Sequence, residues 1–114
     1  MHRTRRFGAA VIKFARTLPK DPAGFALGRQ LIRSATSIGA NFREAQRART
    51  RNEFVSKLTI ALQEAEEARY WLELVLESEP ASRETVQPML DEVTEFIAIL
   101  VATIRTSKRQ SAHT

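Results

Sequence analysis

The sequence predicts an all-α protein folded as an antiparallel, up-and-down four-helix bundle. Three observations carry this prediction. Apolar residues recur at alternating steps of four and three in four separate stretches, which is the period of a helix and not of a strand. Four glycines and four prolines punctuate the 114 residues, too few for many short strands and turns. Pro19, Pro22, Pro80 and the capping residues fall between the periodic stretches, so each stretch carries its own start or stop signal.

The first helix is expected from Thr4 to Leu18, with Phe7, Val11, Phe14 and Leu18 on one face and Pro19 closing it. Asp21 suits an N-cap and Pro22 the first helical position, which opens a second helix. Its seam is Gly24, Gly28, Leu31, Ala35, Ile38, Phe42 and Ala45, a heptad stripe suited to shallow-angle packing. Gly39 inside this helix costs about 1 kcal/mol relative to alanine, which implies a neighbour packed closely on it. Thr50 to Glu53 forms a capping box: the Thr50 hydroxyl can accept from the Glu53 N–H, and the Glu53 carboxylate can accept from the Thr50 N–H. The third helix therefore starts near Arg51. Its seam is Phe54, Leu58, Ala61, Ala65, Ala68, Leu72 and Val75, and Glu77-Ser78-Glu79-Pro80 ends it. Ser82 is the candidate cap of a fourth helix with the seam Val86, Leu90, Val93, Ile97, Leu100 and Ile104. Pro88 lies past the first turn and removes a hydrogen bond, so this helix is expected to start near Thr85 or to kink. One domain thus spans residues 1–106, and residues 107–114 read as a basic, disordered tail.

The last two helices carry more apolar surface than a single stripe. Ile60, Trp71 and Leu74 form a second stripe on the third, with Leu62 and Leu76 elsewhere; Met89, Phe96, Ile99 and Val101 do the same on the fourth. A helix apolar on several sides is buried on several sides, which points to self-association.

Several chemistries are excluded. The absence of cysteine removes disulfides, thiolate metal sites and cysteine nucleophiles. The two histidines, His2 and His113, lie near the termini, so the Glu-x-x-His pairs of di-metal bundles cannot form. Glu44, Glu64 and Glu67 read as salt-bridge partners. No nucleophile–histidine pairing and no glycine-rich phosphate loop is present, so neither enzymatic activity nor a cofactor is expected. The basic N-terminus is not followed by a secretory apolar region, because Lys13 and Arg16 interrupt it. The longest apolar run, Phe96 to Ala102, is far shorter than the ~20 residues of a membrane span. A cytoplasmic protein without membrane contact is expected.

Charge is unevenly distributed. Residues 1–57 hold 13 Lys and Arg against three acids, a balance of +10; residues 58–104 hold two against ten, a balance of −8. Opposite the second helix's seam lie Arg29, Arg33, Thr36, Ala40, Arg43 and Arg47, again at steps of four and three, and Arg49 and Arg51 follow. A stripe of guanidinium groups suits phosphate oxygens, since each offers a planar fork of donors. Few aromatics interleave with it, so base stacking and sequence readout are not indicated. Two other readings stay open: a basic face paired with the acids of the third helix, and a face that docks an acidic protein surface.

Two stretches go beyond generic bundle patterning. One is Leu31-Ile32-Arg33-Ser34-Ala35-Thr36-Ser37-Ile38-Gly39-Ala40-Asn41-Phe42-Arg43-Glu44-Ala45. The other is Glu53-Phe54-Val55-Ser56-Lys57-Leu58-Thr59-Ile60-Ala61-Leu62-Gln63-Glu64-Ala65, continuing through Glu67 to Tyr70-Trp71-Leu72. Together they closely resemble the signatures of the four-helix bundle family named for proteins encoded in 23S ribosomal RNA intervening sequences, over the span from Leu18 to Ile104. The resemblance implies an antiparallel bundle that assembles as a homopentamer around a central opening. The family is also similar to the accessory variability protein of diversity-generating retroelements, a basic pentamer that associates with a reverse transcriptase and with nucleic acid. Phe42, Arg69 and Pro88 depart from the family pattern. The partners expected are further copies of the chain, RNA or DNA, and a protein such as a reverse transcriptase.

The polar segment Ser34–Asn41 is unusual for a helix interior, because such side chains compete for backbone hydrogen bonds. Its small side chains, with Gly39 and Ala40, are expected to admit a neighbouring helix and to bond across that contact. Tyr70 and Trp71 read as packing anchors, and Glu44, Lys57, Glu64 and Glu67 as a polar network between the second and third helices.

Overall fold

The computed structural model describes residues 2–79 and 82–112. Four helices, α1 (His2–Ala15), α2 (Pro22–Gln46), α3 (Arg51–Ser78) and α4 (Arg83–Ala112), form a rod-like bundle of 53 × 22 × 19 Å. Each packs antiparallel to its chain neighbour, and the contact between α1 and α4 is the lightest.

The heptad seams make the core. Phe7, Val11, Phe14 and Leu18 join Leu31, Ala35 and Ile38, the α3 residues Leu58, Ala61, Ala65, Ala68, Leu72 and Val75, and the α4 residues Val86, Leu90, Val93 and Leu100 in one buried cluster. Phe42, Phe54 and Ile97 of the expected seams are half-buried against it. Small residues let the helices come close. A methyl group added at Gly39 would lie 3.3 Å from Thr4 Oγ1, and one at Gly28 would lie 3.7 Å from Ala15 Cβ.

Local signals set the helix ends. The α-helical turns of α1 stop at Ala15, short of the expected Leu18; the chain tightens there, with Thr17 and Leu18 N–H groups donating to Phe14 and Ala15 carbonyls at 2.9 and 3.2 Å. Asp21 caps α2 in extended conformation, its Oδ1 accepting from the Gly24 N–H at 2.8 Å, with Pro22 at the first helical position. The Thr50 hydroxyl accepts from the Glu53 N–H at 3.0 Å, as the capping box requires. The return half differs: Glu53 accepts from the Arg49 N–H at a long 3.5 Å and not from Thr50. Ser82 lies in a short turn before α4, its N–H donating to the Glu79 carbonyl at 3.0 Å. Pro80, expected to help end α3, lies outside the described residues.

Three expectations are corrected. α4 starts at Arg83, two residues before the expected Thr85, and stays helical through Pro88. Pro88 is exposed, so water can take the carbonyl that its missing N–H leaves free. The helix also continues to Ala112, where a disordered tail from Ser107 was expected; Ser107 is buried because it extends the seam one step of three beyond Ile104. His113 and Thr114 lie outside the described residues. The second apolar stripe of α4 is partly spent inside the chain. Met89 and Phe96 are only 7% and 5% exposed, and Phe96 meets Phe7 edge-on at 5.5 Å. α4 faces both α3 and α1, and so needs two apolar faces.

The polar segment of α2 bonds within its own helix. Ser34, Thr36 and Ser37 hydroxyls donate to the carbonyls of Gln30, Ile32 and Arg33 at 2.7–2.8 Å, and Asn41 Nδ2 donates to Ser37 O at 2.9 Å. These donors are satisfied four residues back, so small size, and not bonding across the contact, is what they contribute.

Candidate nucleic-acid interface

Helical geometry sets the reach of the arginine stripe. From Arg29 to Arg47 the rise along α2 is about 27 Å at 1.5 Å per residue. All six arginines, Arg29, Arg33, Arg43, Arg47, Arg49 and Arg51, are exposed. They are not equivalent.

Arg33 is tied to α3. Its guanidinium pairs with Glu64 at 3.1 Å and with Glu67, and it donates a hydrogen bond to Gln30 at 3.3 Å. Glu67 also accepts from the Trp71 indole N–H at 3.3 Å. The bond to Glu67, helped by the charge of Glu64, raises the Arg33 pKa further above its ordinary value. The neighbouring pair Lys57–Glu44, at 3.2 Å, is a separate bridge between the same helices. The expected network of Glu44, Lys57, Glu64 and Glu67 is thus split into two separate groups, one of which engages the Arg33 guanidinium.

The other five have no carboxylate partner among the described residues. Arg29 lines a shallow groove between α2 and α3, beside Leu27 and Trp71. Arg43 leans the other way, over an open groove of about 790 Å³ between α1 and α2 whose floor is Gly8, Ala9, Thr36 and Ala40. Arg5 and Arg6 of α1 stand on the far side of that groove. Arg47 follows the last residue of α2, its N–H donating to Glu44 O at 3.1 Å, and Arg51 is the first residue of α3.

Sequence reasoning missed Arg5 and Arg6. Arg5 shares a face with Ala9 and Ile12 at steps of four and three, whereas no local spacing marks Arg6. Nearby Arg3 has another role. It bridges Glu92 at 2.7 Å and Glu95 at 2.6 Å, and its guanidinium carbon stands 5.4 Å from the centre of the Phe96 ring. Its hydrogen bond holds the Glu92 carboxyl below its ordinary value, against the opposing effect of burial.

Acidic side chains do not gather into a metal site among the described residues. No described helix is long and apolar enough to cross a membrane. What the geometry offers is a cationic face on α1, α2 and the α2–α3 turn.

The model of the family described as 23S rRNA-intervening sequence protein matches residues 1–102. The chain belongs to this family. Among solved structures, a protein of unknown function from the S23 ribosomal protein family of Bacteroides thetaiotaomicron is similar to it. The two are 37% identical over 90% of this chain and 95% of that one, with a TM-score of 0.83. Comparison with the curated proteins finds no match. For a 23S rRNA-intervening sequence protein, the four-helix architecture read from the heptad seams is thus the family's own.

Proposed function

We propose that this 23S rRNA-intervening sequence protein is a non-enzymatic, oligomeric protein that binds the phosphate backbone of nucleic acid through its exposed arginines. One observation carries the reading. Arg3, Arg33 and Lys57 each hold a carboxylate, whereas Arg29, Arg43, Arg47, Arg49 and Arg51 hold none. Cations left unpaired in this way are free to replace the counterions condensed on a phosphate backbone, which favours binding at low salt. Neutral or cationic ligands gain nothing from this face.

Oligomerisation belongs to the same proposal. Ile60, Tyr70 and Ile99 leave apolar surface exposed, and the family resemblance implies a homopentamer. Several arginine faces on one particle raise avidity without a new kind of contact.

The test is binding of RNA and DNA across a salt series. Affinity should fall with a log–log slope of about 0.7–0.9 per phosphate neutralised, with little sequence preference. Replacing Arg29, Arg43 and Arg47 by alanine together should flatten the slope by up to about three units, each residue contributing up to one. Arg33→Ala should leave it unchanged. A triple variant that keeps its fold and its full affinity would remove the arginine face as the site. Absence of any binding at low salt would favour an acidic protein partner on the same face, such as a reverse transcriptase.

A further inference from the structure

We infer that the nucleic acid is double-helical and sits across one end of the bundle, where the last turns of α4 join the α2–α3 turn in one cationic surface. The inference rests on the nucleic-acid reading above and adds to it a ligand class and a second set of residues.

The helix registers place these residues together. Thr4 of α1 lies against Gly39 of α2, and Arg3 lies against Glu92 and Glu95 of α4. From those levels Arg47 is about 12 Å further along α2, and Arg105 about 15 Å further along α4, at 1.5 Å per residue. Glu44 pairs with Lys57 at that end of α3, close to Arg51. Arg105, Lys108 and Arg109 therefore share one end of the rod with Arg47, Arg49 and Arg51. All six are exposed and without a carboxylate partner among the described residues. The two acids nearest are already engaged: Glu44 by Lys57 and Glu53 by the Arg49 N–H.

Ordinary helix electrostatics accounts for only part of this cluster. A cation in the last turn of a helix is stabilising, and Arg109 of α4 fits that rule. Arg51 does the reverse, standing at the first position of α3, where the partial positive charge of the helix end disfavours it. Even with Glu53 in the same turn, Arg51 is a broken local preference, which points to a functional demand at this surface.

Two features choose the duplex. Single strands are held by exposed aromatic rings on which bases stack. At the cationic end, the aromatics Phe42 and Phe54 are half-buried against the core. The exposed rings, Phe25 and Tyr70, lie toward the other end, away from these six cations. A duplex also presents charge at twice the density of one strand, about one per 1.7 Å of axis. Over the bundle's end, 22 × 19 Å across, a duplex therefore offers about twice the phosphate charge of a single strand.

Binding of an RNA duplex, a DNA duplex and a uridine homopolymer of equal length tests the inference. Either duplex should bind at least about tenfold more tightly than the homopolymer at matched salt, reflecting the denser phosphate charge. The variant Arg105→Ala/Lys108→Ala/Arg109→Ala should weaken duplex binding and reduce its salt slope by two to three units, about one for each cation removed. Arg105→Lys/Arg109→Lys should restore the slope, and circular dichroism should show α4 intact in both variants. Equal or tighter binding of the homopolymer would overturn the duplex assignment while leaving the arginine face standing. A triple variant with the wild-type slope would overturn the role of α4. Failure of all three ligands to bind at low salt would overturn both proposals.

Discussion

Single residues in this bundle divide by what faces them. Gly24 is the most constrained: a methyl group there would lie 1.8 Å from the Pro19 carbonyl oxygen, a backbone atom with no freedom to rotate away. Gly24→Ala should therefore destabilise the protein by at least about 1–3 kcal/mol, the range for overpacking, measured as a lowered midpoint in thermal unfolding. Gly39→Ala should be mild, because its methyl would meet the Thr4 side chain at 3.3 Å and helix propensity offsets the contact. Gly39→Leu should fall in the same costly range as Gly24→Ala. The sequence marked Gly39 as a contact point, since a glycine in a helix interior needs a reason. Gly24 read only as one more seam residue, because its constraint comes from the tight turn that Pro19 makes and not from helix packing. The arginines show the same limit. On α2 alone, Arg33 and Arg43 are equivalent; only the fold brings Glu64 and Glu67 to Arg33. Arg33→Ala should cost about 1 kcal/mol or less, since the guanidinium is about half exposed although Glu64 is not.

Among the elements, α1 is held differently from the rest. Its apolar face is buried, but its contact with α4 is light and is fastened by Arg3 on Glu92, Glu95 and Phe96. Arg3 holds the Glu92 carboxyl below its ordinary value of 4.5. A depressed carboxyl contributes stability at pH above that value, and the contribution is lost as pH falls through the lower value of the folded state. Thermal midpoints should therefore drop below about pH 4.5, with part of the drop absent in Glu92→Gln. An unchanged acid limb in that variant would show that Glu92 plays no part in fastening α1. Helix existence was legible because heptad periods, Asp21-Pro22 and Thr50–Glu53 are local signals. Two features were not. The second stripe of α4 looked like surface for another subunit, because no local pattern says that Phe7 of α1 will pack on Phe96 or that Met89 will be buried. The continuation of α4 past Ile104 rests on one buried serine, Ser107, whose polar side chain masks the seam in sequence.

For the molecule as a whole, the imbalance of charge between the two halves of the chain was visible in sequence, but its direction in space was not. Antiparallel packing could have interleaved the charges; instead it carries much of the excess to one end. Assembly is the property to measure first. Light scattering at micromolar concentration should give a mass several times 12.9 kDa, and a clean monomer would remove the oligomeric part of the proposed function. Replacing Ile60 and Ile99 together by serine should reduce that mass if these exposed side chains lie in the contact. The separation of charge along a 53 Å rod also has a kinetic side. Near a polyanion, such a particle feels a torque before it feels a contact, and it turns its arginine end forward during the approach. Fewer arrivals are then wasted on the wrong orientation, and capture is fast at low salt because the field reaches further than the side chains. Added salt would shorten that reach and slow arrival first, before it loosened the complex once formed.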